Sequence, residues 1–470
     1  MKSADKRSLN FSGFTIVELL VVIVVIGILA SITIVAYTGF SNKATVSGLQ
    51  SDLSTGVNEL KLYYTDNGTY PQTLDGTNCP TGPIDGRYCL KPTPGNVYKY
   101  TSYSPYRSFK LIVTNTLTSL AYVITDTTAA IVYVPPTGIL AALSPATIAT
   151  GNNTDKIDMS SDGNSLYAAN KGTNTISMYS RNTSTGALTA LATPTIATGS
   201  TPLDLAISPD GTSVYTTNSG SYNISMFSRN TGTGALTALA PPTIATAATP
   251  YYIIVSSDNI SVYVINMSAN TISMYNRNTT SGTLTALATP TIATGTSPYG
   301  IAVSPDGTSV YVSNASSSSI SMYSRNTITG ALTALATPTI ATETSPSGIT
   351  ISPDGTSAYV ANNGSKTISM YSRNTGTGAL TALATPTIAT DWRPAYVSVS
   401  PDGFSVYVTN YSSGTISMYK RNISTGALTA LATPTIATGS IPFGIIVSPD
   451  STSIYVVNES SNTISMYSRS

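Results

Sequence analysis

The longest apolar run of the chain covers residues 14–37, in which Glu18 is the only charged side chain. A run of this length can cross a bilayer as a helix, and the basic residues Lys2, Lys6 and Arg7 favour the cytoplasmic side for the segment before it. The run is longer than the apolar core of a secretory signal peptide. Because an ionised carboxylate within a membrane span costs free energy unless it is paired, we expect Glu18 to have a partner.

A second hydrophobic pattern has apolar side chains three or four residues apart, at Val46, Leu49, Leu53, Val57, Leu60 and Tyr64. This spacing predicts one apolar face of a helix that continues the first, and Asp66-Asn67-Gly68 is typical of a helix end. Four strand-like segments then predict a small sheet for the helix to pack on: Val97–Tyr103, Phe109–Asn115, Leu120–Thr125 and Ala130–Val134. Helix and sheet together predict an α+β domain.

The rest of the chain is a repeat of constant length. Its clearest mark is Ile-Ser-Met-aromatic, which begins at Ile176, Ile224, Ile272, Ile320, Ile368, Ile416 and Ile464. Each unit has four strand-like runs, with turn residues such as Ser-Pro-Asp-Gly between the first two. A repeat of this kind predicts an all-β, seven-bladed propeller, with an open β-solenoid as the alternative.

The two ends of the repeat region complement each other. The last copy stops at Ser470 after its third strand, and residues 138–150 supply a fourth-strand segment. We expect this N-terminal strand to close the ring and remove an exposed sheet edge.

Composition narrows the possible functions. Only 9% of the residues are charged, the formal net charge is +1, and histidine is absent. Nucleic acid is therefore not expected as a partner, and catalytic systems built on histidine are excluded. Two cysteines cannot form a structural zinc cage. We expect no catalytic residue, no metal and no cofactor, and we do not predict an enzyme.

The stretch from Gly13 through Glu18 to Leu20, followed by the apolar run, resembles the prepilins of type IV pili and the pseudopilins of type II secretion. The resemblance implies cleavage after Gly13 by a prepilin peptidase and N-methylation of Phe14. The Glu18 carboxylate would then pair with the Phe14 ammonium of a neighbouring subunit in a helical filament of identical chains. The precursor would lie in the bacterial inner membrane until the pilus assembly machinery builds an extracellular filament. Many pilins have a proline near the position that Val35 occupies here, and this chain has no proline there.

The predicted organisation is a leader (residues 1–13), a pilin-like domain (residues 14–136) and a propeller (residues 138–470). Because the pilin-like domain would lie outside the cytoplasm, we expect a disulfide between Cys79 and Cys89, with two free thiols as the alternative.

The repeats resemble the Tyr-Val-Thr-Asn family of surface-protein propellers, related in fold to lactonases. Tyr407-Val408-Thr409-Asn410 and Tyr311-Val312-Ser313-Asn314 carry this resemblance, together with the Ser-Pro-Asp-Gly turns. It implies the fold more strongly than an activity. Lactonases of this fold use histidine and charged residues in the central channel, and this chain has no histidine. The aspartate that recurs once per blade is interpreted as structural.

A ligand site in a repeat protein is expected where the copies differ. The connections from the fourth strand to the next first strand vary most, and they carry the only tryptophan of the chain. Aromatic side chains there suit a surface glycan or a protein ligand. The candidate ligand-binding residues are Trp392, Arg393, Tyr396, Tyr251, Tyr252 and Tyr299. The alternative is that these loops have drifted or pack on the pilin-like domain.

The sequence thus predicts a structural subunit of a type IV pilus or pilus-like filament that displays a propeller for adhesion or surface recognition. Whether it is a major or a minor subunit stays open. The alternatives are a minor pilin or pseudopilin of a secretion system, and a membrane-tethered, lactonase-like enzyme.

Overall fold

The structure, a computed structural model, describes residues 48–81, 88–103, 108–115, 121–125, 132–134 and 137–470. It divides the chain into two compact units, Met1–Pro135 and Pro136–Ser470. The predicted membrane span, residues 14–37, lies outside the described residues. Within the described part of the chain, no helix has the length and hydropathy needed to cross a membrane.

The first unit contains one described helix, α1 (residues 48–67), and one antiparallel sheet. The strands of the sheet follow each other in chain order: β1 (Asn96–Tyr103), β2 (Ser108–Asn115), β3 (Ala121–Thr125) and β4 (Val132–Val134). The predicted apolar face of α1 is buried: Leu49, Leu53, Val57 and Leu60 form one core with Phe109, Leu111 and Val113 of β2. Val46 lies outside the described residues.

Hydrogen bonds link α1 to the segment before β1 and end the helix. Buried Asp52 accepts hydrogen bonds from the backbone N–H and the hydroxyl of Thr93 and from the Asn96 amide, at 2.7 to 2.9 Å. The helix ends as predicted, because Gly68 has a φ of 74° and its N–H donates to the Tyr64 carbonyl. The disulfide between Cys79 and Cys89 is present.

The second unit is the predicted seven-bladed propeller, in which each blade is a four-stranded antiparallel sheet. The first strands are β6 (Thr154–Met159), β10 (Pro202–Ile207), β14 (Pro250–Val255), β18 (Pro298–Val303), β22 (Pro346–Ile351), β26 (Pro394–Val399) and β30 (Pro442–Val447). The second strands are β7 (Ser165–Asn170), β11 (Ser213–Asn218), β15 (Ser261–Asn266), β19 (Ser309–Asn314), β23 (Ser357–Asn362), β27 (Ser405–Asn410) and β31 (Ser453–Asn458).

The third strands are β8 (Thr175–Arg181), β12 (Asn223–Arg229), β16 (Thr271–Arg277), β20 (Ser319–Arg325), β24 (Thr367–Arg373), β28 (Thr415–Arg421) and β32 (Thr463–Arg469). The outermost strands are β9 (Leu188–Ala197), β13 (Leu236–Ala245), β17 (Leu284–Ala293), β21 (Leu332–Ala341), β25 (Leu380–Ala389), β29 (Leu428–Ala437) and, in the seventh blade, β5 (Leu140–Ala149). Strand β5 pairs antiparallel with β32, from Ile148 opposite Ile464 to Leu140 opposite Arg469. The seventh blade is therefore built from both ends of the propeller sequence.

Neighbouring blades are joined by the aspartate that recurs once per blade. In each joint, a buried arginine at the end of a third strand forms an ion pair with the aspartate of the preceding blade. Arg277, for example, lies 2.8 Å from Asp210 and donates to the Tyr215 hydroxyl. Tyr215 in turn donates to the Gly282 carbonyl. These contacts agree with the structural interpretation of the periodic aspartates.

Candidate functional site

The first strands of the blades face the central channel, and at one repeat position they carry unlike side chains. From the first blade to the seventh, this position holds Lys156, Asp204, Tyr252, Gly300, Gly348, Tyr396 and Gly444. The glycines leave room for the large side chains: a Cβ on Gly348 would lie 2.9 Å from the Cα of Tyr396. The ring of blades is regular, but the side chains at this level of the channel are not.

Lys156 lies inside an aromatic cage at this level. Its Nζ is 2.9 Å from the ring centroid of Tyr396, 4.4 Å from that of Tyr252 and 5.5 Å from that of Phe443. The Lys156 Nζ and the Tyr252 hydroxyl are buried and have no hydrogen-bond partner among the described residues. Burial lowers the pKa of Lys156 to about 7, although the Asp204 and Asp155 carboxylates raise it.

A cavity of about 340 Å³ lies along the channel next to this cage and is bordered by Asp158, Asp204 and Tyr396. Burial raises the pKa of Asp158 to about 7 and that of Asp204 to about 6. Each carboxylate accepts a hydrogen bond from the first strand of the following blade: Asp158 from the Ile207 N–H and Asp204 from the Ile253 N–H. Both aspartates therefore link blades from inside the channel.

A second cavity, of about 240 Å³, precedes the cage along the first strands, and we call it the mouth cavity. Its lining comes from two sets of connections, fourth strand to first and second strand to third, together with the starts of the first strands. The lining residues are Asp155, Lys171, Tyr251, Tyr299, Asn363, Arg393, Tyr411, Phe443 and Glu459. Four aromatic rings and four charged side chains from six blades thus meet at one end of the channel.

The aromatic side chains of the mouth cavity are packed against each other. The Tyr251 hydroxyl donates to the Tyr299 hydroxyl at 3.1 Å, and the two ring centroids are 4.9 Å apart. The Tyr252 ring contacts both of them, with its centroid 4.8 Å from that of Tyr251 and 5.5 Å from that of Tyr299. On another wall, the Arg393 guanidinium lies 5.3 Å from the Tyr411 ring centroid.

The electrostatics of the mouth cavity centre on Asp155, which is 7% exposed. Burial and the nearby Glu459 carboxylate raise its pKa to about 7, although Lys171 and Lys156 act to lower it. Burial, together with the Asp155 carboxylate, raises the pKa of Tyr299 to about 12. The Tyr251 and Tyr299 hydroxyls, whose pKa values are raised, therefore keep their protons at neutral pH.

The structure brings five of the six candidate ligand-binding residues to the channel. Tyr251, Tyr299 and Arg393 line the mouth cavity, Tyr396 borders the larger cavity, and Tyr252 lies between the two. Trp392 lines neither cavity and is 59% exposed, with the Lys366 Nζ 2.7 Å from its ring centroid.

Sequence reasoning did not select the residues of the connections between second and third strands, Lys171, Asn363, Tyr411 and Glu459. They share one repeat position, and their divergence there was the available signal. Asp155 and Phe443 lie in segments that were recognised as variable, but they were not selected.

Gly13, Phe14 and Glu18, the residues expected to direct processing and assembly, lie outside the described residues. Among those that are described, no group of acidic, cysteine or histidine residues could hold a metal ion.

The fold and the channel define the class of the protein: a seven-bladed β-propeller that follows a small α+β domain. The family described as "Lactonase, 7-bladed beta-propeller" matches residues 119–249, 237–342 and 335–443, and the prokaryotic N-terminal methylation motif matches residues 9–34. The chain is 34% identical over 109 residues to type II secretion system core protein G of Vibrio cholerae, spanning 21% of this chain and 75% of that protein. The chain belongs to the seven-bladed propeller lactonase family and, by its N-terminal part, to the family of these core proteins.

Other similarities are more limited. Core protein G of Escherichia coli is 40% identical over 76 residues, which are 16% of this chain and 50% of that protein. A periplasmic gluconolactonase of Pseudomonas aeruginosa has a TM-score of 0.54 at 17% identity, covering 69% of this chain and 91% of that chain. Hydrazine synthase of Kuenenia stuttgartiensis has a TM-score of 0.52 at 18% identity, covering 68% and 96%. At such identities the likeness shows the fold alone.

Proposed function

We propose that this protein is a subunit of a pilus-like filament that carries a propeller on the filament surface and uses the mouth cavity for adhesion. The ligand is a sugar residue of a surface glycan. The observation that carries this proposal is the meeting of unlike aromatic and charged side chains, from six different blades, at one end of an otherwise regular ring.

The N-terminal part supports the filament. It matches the methylation motif and is similar to core protein G, a component of type II secretion systems by its name. Cleavage after Gly13 leaves Phe14 as the first residue, with an ammonium that the Glu18 carboxylate of a neighbouring subunit neutralises in a medium poor in water. The contact does not close on itself, so it propagates as a helix of identical subunits.

The mouth cavity supports recognition of a sugar. Its volume, about 240 Å³, suits a single sugar ring rather than a drug-sized molecule. Tyr251 and Tyr299 offer aromatic surface for the C–H face of the ring, and Asp155, Asn363 and Arg393 offer acceptors and donors for its hydroxyls. Repetition of a weak site along a filament raises the overall avidity without new contacts.

Electron microscopy and mass spectrometry of fibres sheared from expressing cells test this function. We expect fibres with ring-shaped lobes, made of a chain that begins at methylated Phe14, and these fibres should bind glycan-coated beads. The variant Tyr299→Ala tests the cavity: we expect it to form intact fibres that bind the beads more weakly. If the protein stays in the cell envelope and no fibres form, the proposed filament assembly is wrong. If the variant fibres bind the beads as well as the original fibres, the mouth cavity is not the binding site.

The membrane-tethered enzyme is a second candidate, favoured by one observation. The larger cavity holds Lys156, Asp158 and Asp204, whose pKa values of about 7, 7 and 6 lie near neutrality. The two aspartates already accept backbone hydrogen bonds that link blades, which is a structural role. If the full chain hydrolyses a gluconolactone and Asp158→Asn abolishes this activity, the protein is an enzyme. If there is no turnover above background, the enzyme candidate is wrong and the adhesion function stands.

A further inference from the structure

We propose, building on the function proposed above, that the mouth cavity selects a sugar with a free amine, whose ammonium group lies against the carboxylates of Asp155 and Glu459. The inference names the chemical class of the ligand, an amino sugar that is not acetylated, and the two residues that distinguish it from a neutral sugar.

The first observation is an unpartnered carboxylate. Asp155 lines the mouth cavity and is 7% exposed, yet its carboxylate accepts no hydrogen bond and forms no ion pair with a described residue. A carboxylate on a largely buried residue is expected to have a partner. The oxygens of Asp155 are not among the fully buried atoms without a partner, so the carboxylate is open to the cavity. A cationic group in the cavity would supply that partner.

The second observation is that the cations already present do not neutralise the site. Lys171 and Lys156 lower the pKa of Asp155, but burial and the charges of Glu459 and Asp204 outweigh them and bring it to about 7. The Lys156 Nζ lies in its own aromatic cage, and the Arg393 guanidinium is turned towards Tyr411 and Asn363. The pair formed by Asp155 and Glu459 therefore attracts a further positive charge.

The third observation is the aromatic surface beside this pair. Tyr251 and Tyr299 line the same cavity as Asp155, and their ring centroids are 4.9 Å apart. A protonated amine is attracted both to carboxylates and to the faces of aromatic rings. Arg393 and Asn363 on the other wall remain to contact hydroxyl groups of the same sugar ring.

Titration calorimetry of the full chain in detergent at pH 7 tests the inference with three probes: glucosamine, N-acetylglucosamine and glucose. We expect glucosamine to bind about tenfold or more tighter than the other two, since a hydrogen bond to a charged group exceeds a neutral one by this order. Asp155→Asn and Glu459→Gln should each remove the preference. Glu343→Gln, which removes an exposed carboxylate from an equivalent loop, should keep it.

The outcomes separate this inference from the function on which it rests. Equal affinity for the three sugars, or a preference for the acetylated one, overturns the amine selectivity and leaves glycan adhesion standing. Binding of none of them overturns both. Because Asp155 is buried and its variant could fail to fold, the half-buried Glu459 provides an independent variant; an unchanged preference in a folded Glu459→Gln chain also overturns the inference.

Discussion

Arg181 donates hydrogen bonds to both carboxylate oxygens of Asp450, at 2.8 and 3.1 Å, across the joint between the last blade and the first. The two residues are separated by 269 positions in the sequence, and the same arginine donates to the Tyr455 hydroxyl. The side chain of Arg181 is fully buried, whereas that of Asp450 is 26% exposed. This ion pair closes a circle of seven equivalent joints.

We therefore expect Asp450→Asn to destabilise the propeller at the closing joint. The substitution leaves a buried guanidinium without its carboxylate, which costs about 3–5 kcal/mol in comparable cases. Urea unfolding of the full chain in detergent measures the change, with Glu343→Gln as the control for an exposed carboxylate. Equal unfolding midpoints for the two variants would show that the joint adds little to the stability of the ring.

Acid should weaken six of these joints together. Hydrogen bonds and the facing arginines lower the pKa of Asp162, Asp210, Asp258, Asp306, Asp354 and Asp450, although burial acts in the opposite direction. A carboxyl whose pKa is lower in the folded state stabilises it above the unfolded pKa, and this contribution is lost as the pH falls. For Asp354 the loss runs from about pH 4 to about pH 2.

The unfolding midpoint of the full chain, followed from pH 5 downwards, measures this effect. Asp354→Asn should lower the midpoint at pH 5 and flatten its fall with pH, because one of the titrating carboxyls is gone. Asp155, Asp158 and Asp204, whose pKa values are raised, act in the opposite direction, but they do so equally in both chains and cancel in the comparison. A pH profile as steep as that of the original chain would mean that Asp354 does not take part.

Lys156→Met should stabilise the propeller at neutral pH. The pKa of Lys156 is lowered from 10.5 to about 7 by burial, so below that pH the folded chain must bury an ammonium without a hydrogen bond. An apolar side chain of similar size avoids the cost of burying this charge without a hydrogen bond. The gain should be largest at or below pH 7 and shrink towards pH 10, as the lysine loses its proton in both states.

Thermal unfolding of the variant at several pH values between about 7 and 10 measures this gain. Lys171→Met is the matched control, since Lys171 lies at the mouth cavity outside the aromatic cage. A destabilised Lys156→Met chain would show that the contacts of the ammonium with Tyr396 and Tyr252 outweigh its burial.

Processing and assembly should depend on different residues. Gly13→Ala should block cleavage, and mass spectrometry would then find the leader still attached.

Glu18→Ala should be cleaved but should assemble poorly, because the Phe14 ammonium loses its counter-charge in the filament core. A mature chain that still begins at Phe14 in the first variant, or normal fibres in the second, would contradict these roles.

Much of the fold could be predicted because it rests on local periodicity. The spacing of Leu49, Leu53, Val57 and Leu60 predicted the buried face of α1, and the constant length of the repeat predicted the seven blades. The channel residues were predicted less completely. Tyr251, Tyr252 and Tyr299 were predicted because they differ from the other copies of the repeat. Tyr411 and Glu459 were not predicted, because they lie in turns that resemble ordinary solvent-exposed connections.

The sequence by itself determined the blades, the order of their strands and the positions at which the copies differ, because these follow from patterns within a single repeat. The tertiary structure decided which of the differing side chains meet. Asp155 and Glu459 belong to opposite ends of the propeller sequence and come together only because the seventh blade packs against the first. Trp392 stands just before the first strand of its blade, on the rim, while Tyr396 points into the channel. The direction of each side chain relative to the ring axis depends on strand register and blade packing, which local pattern does not contain.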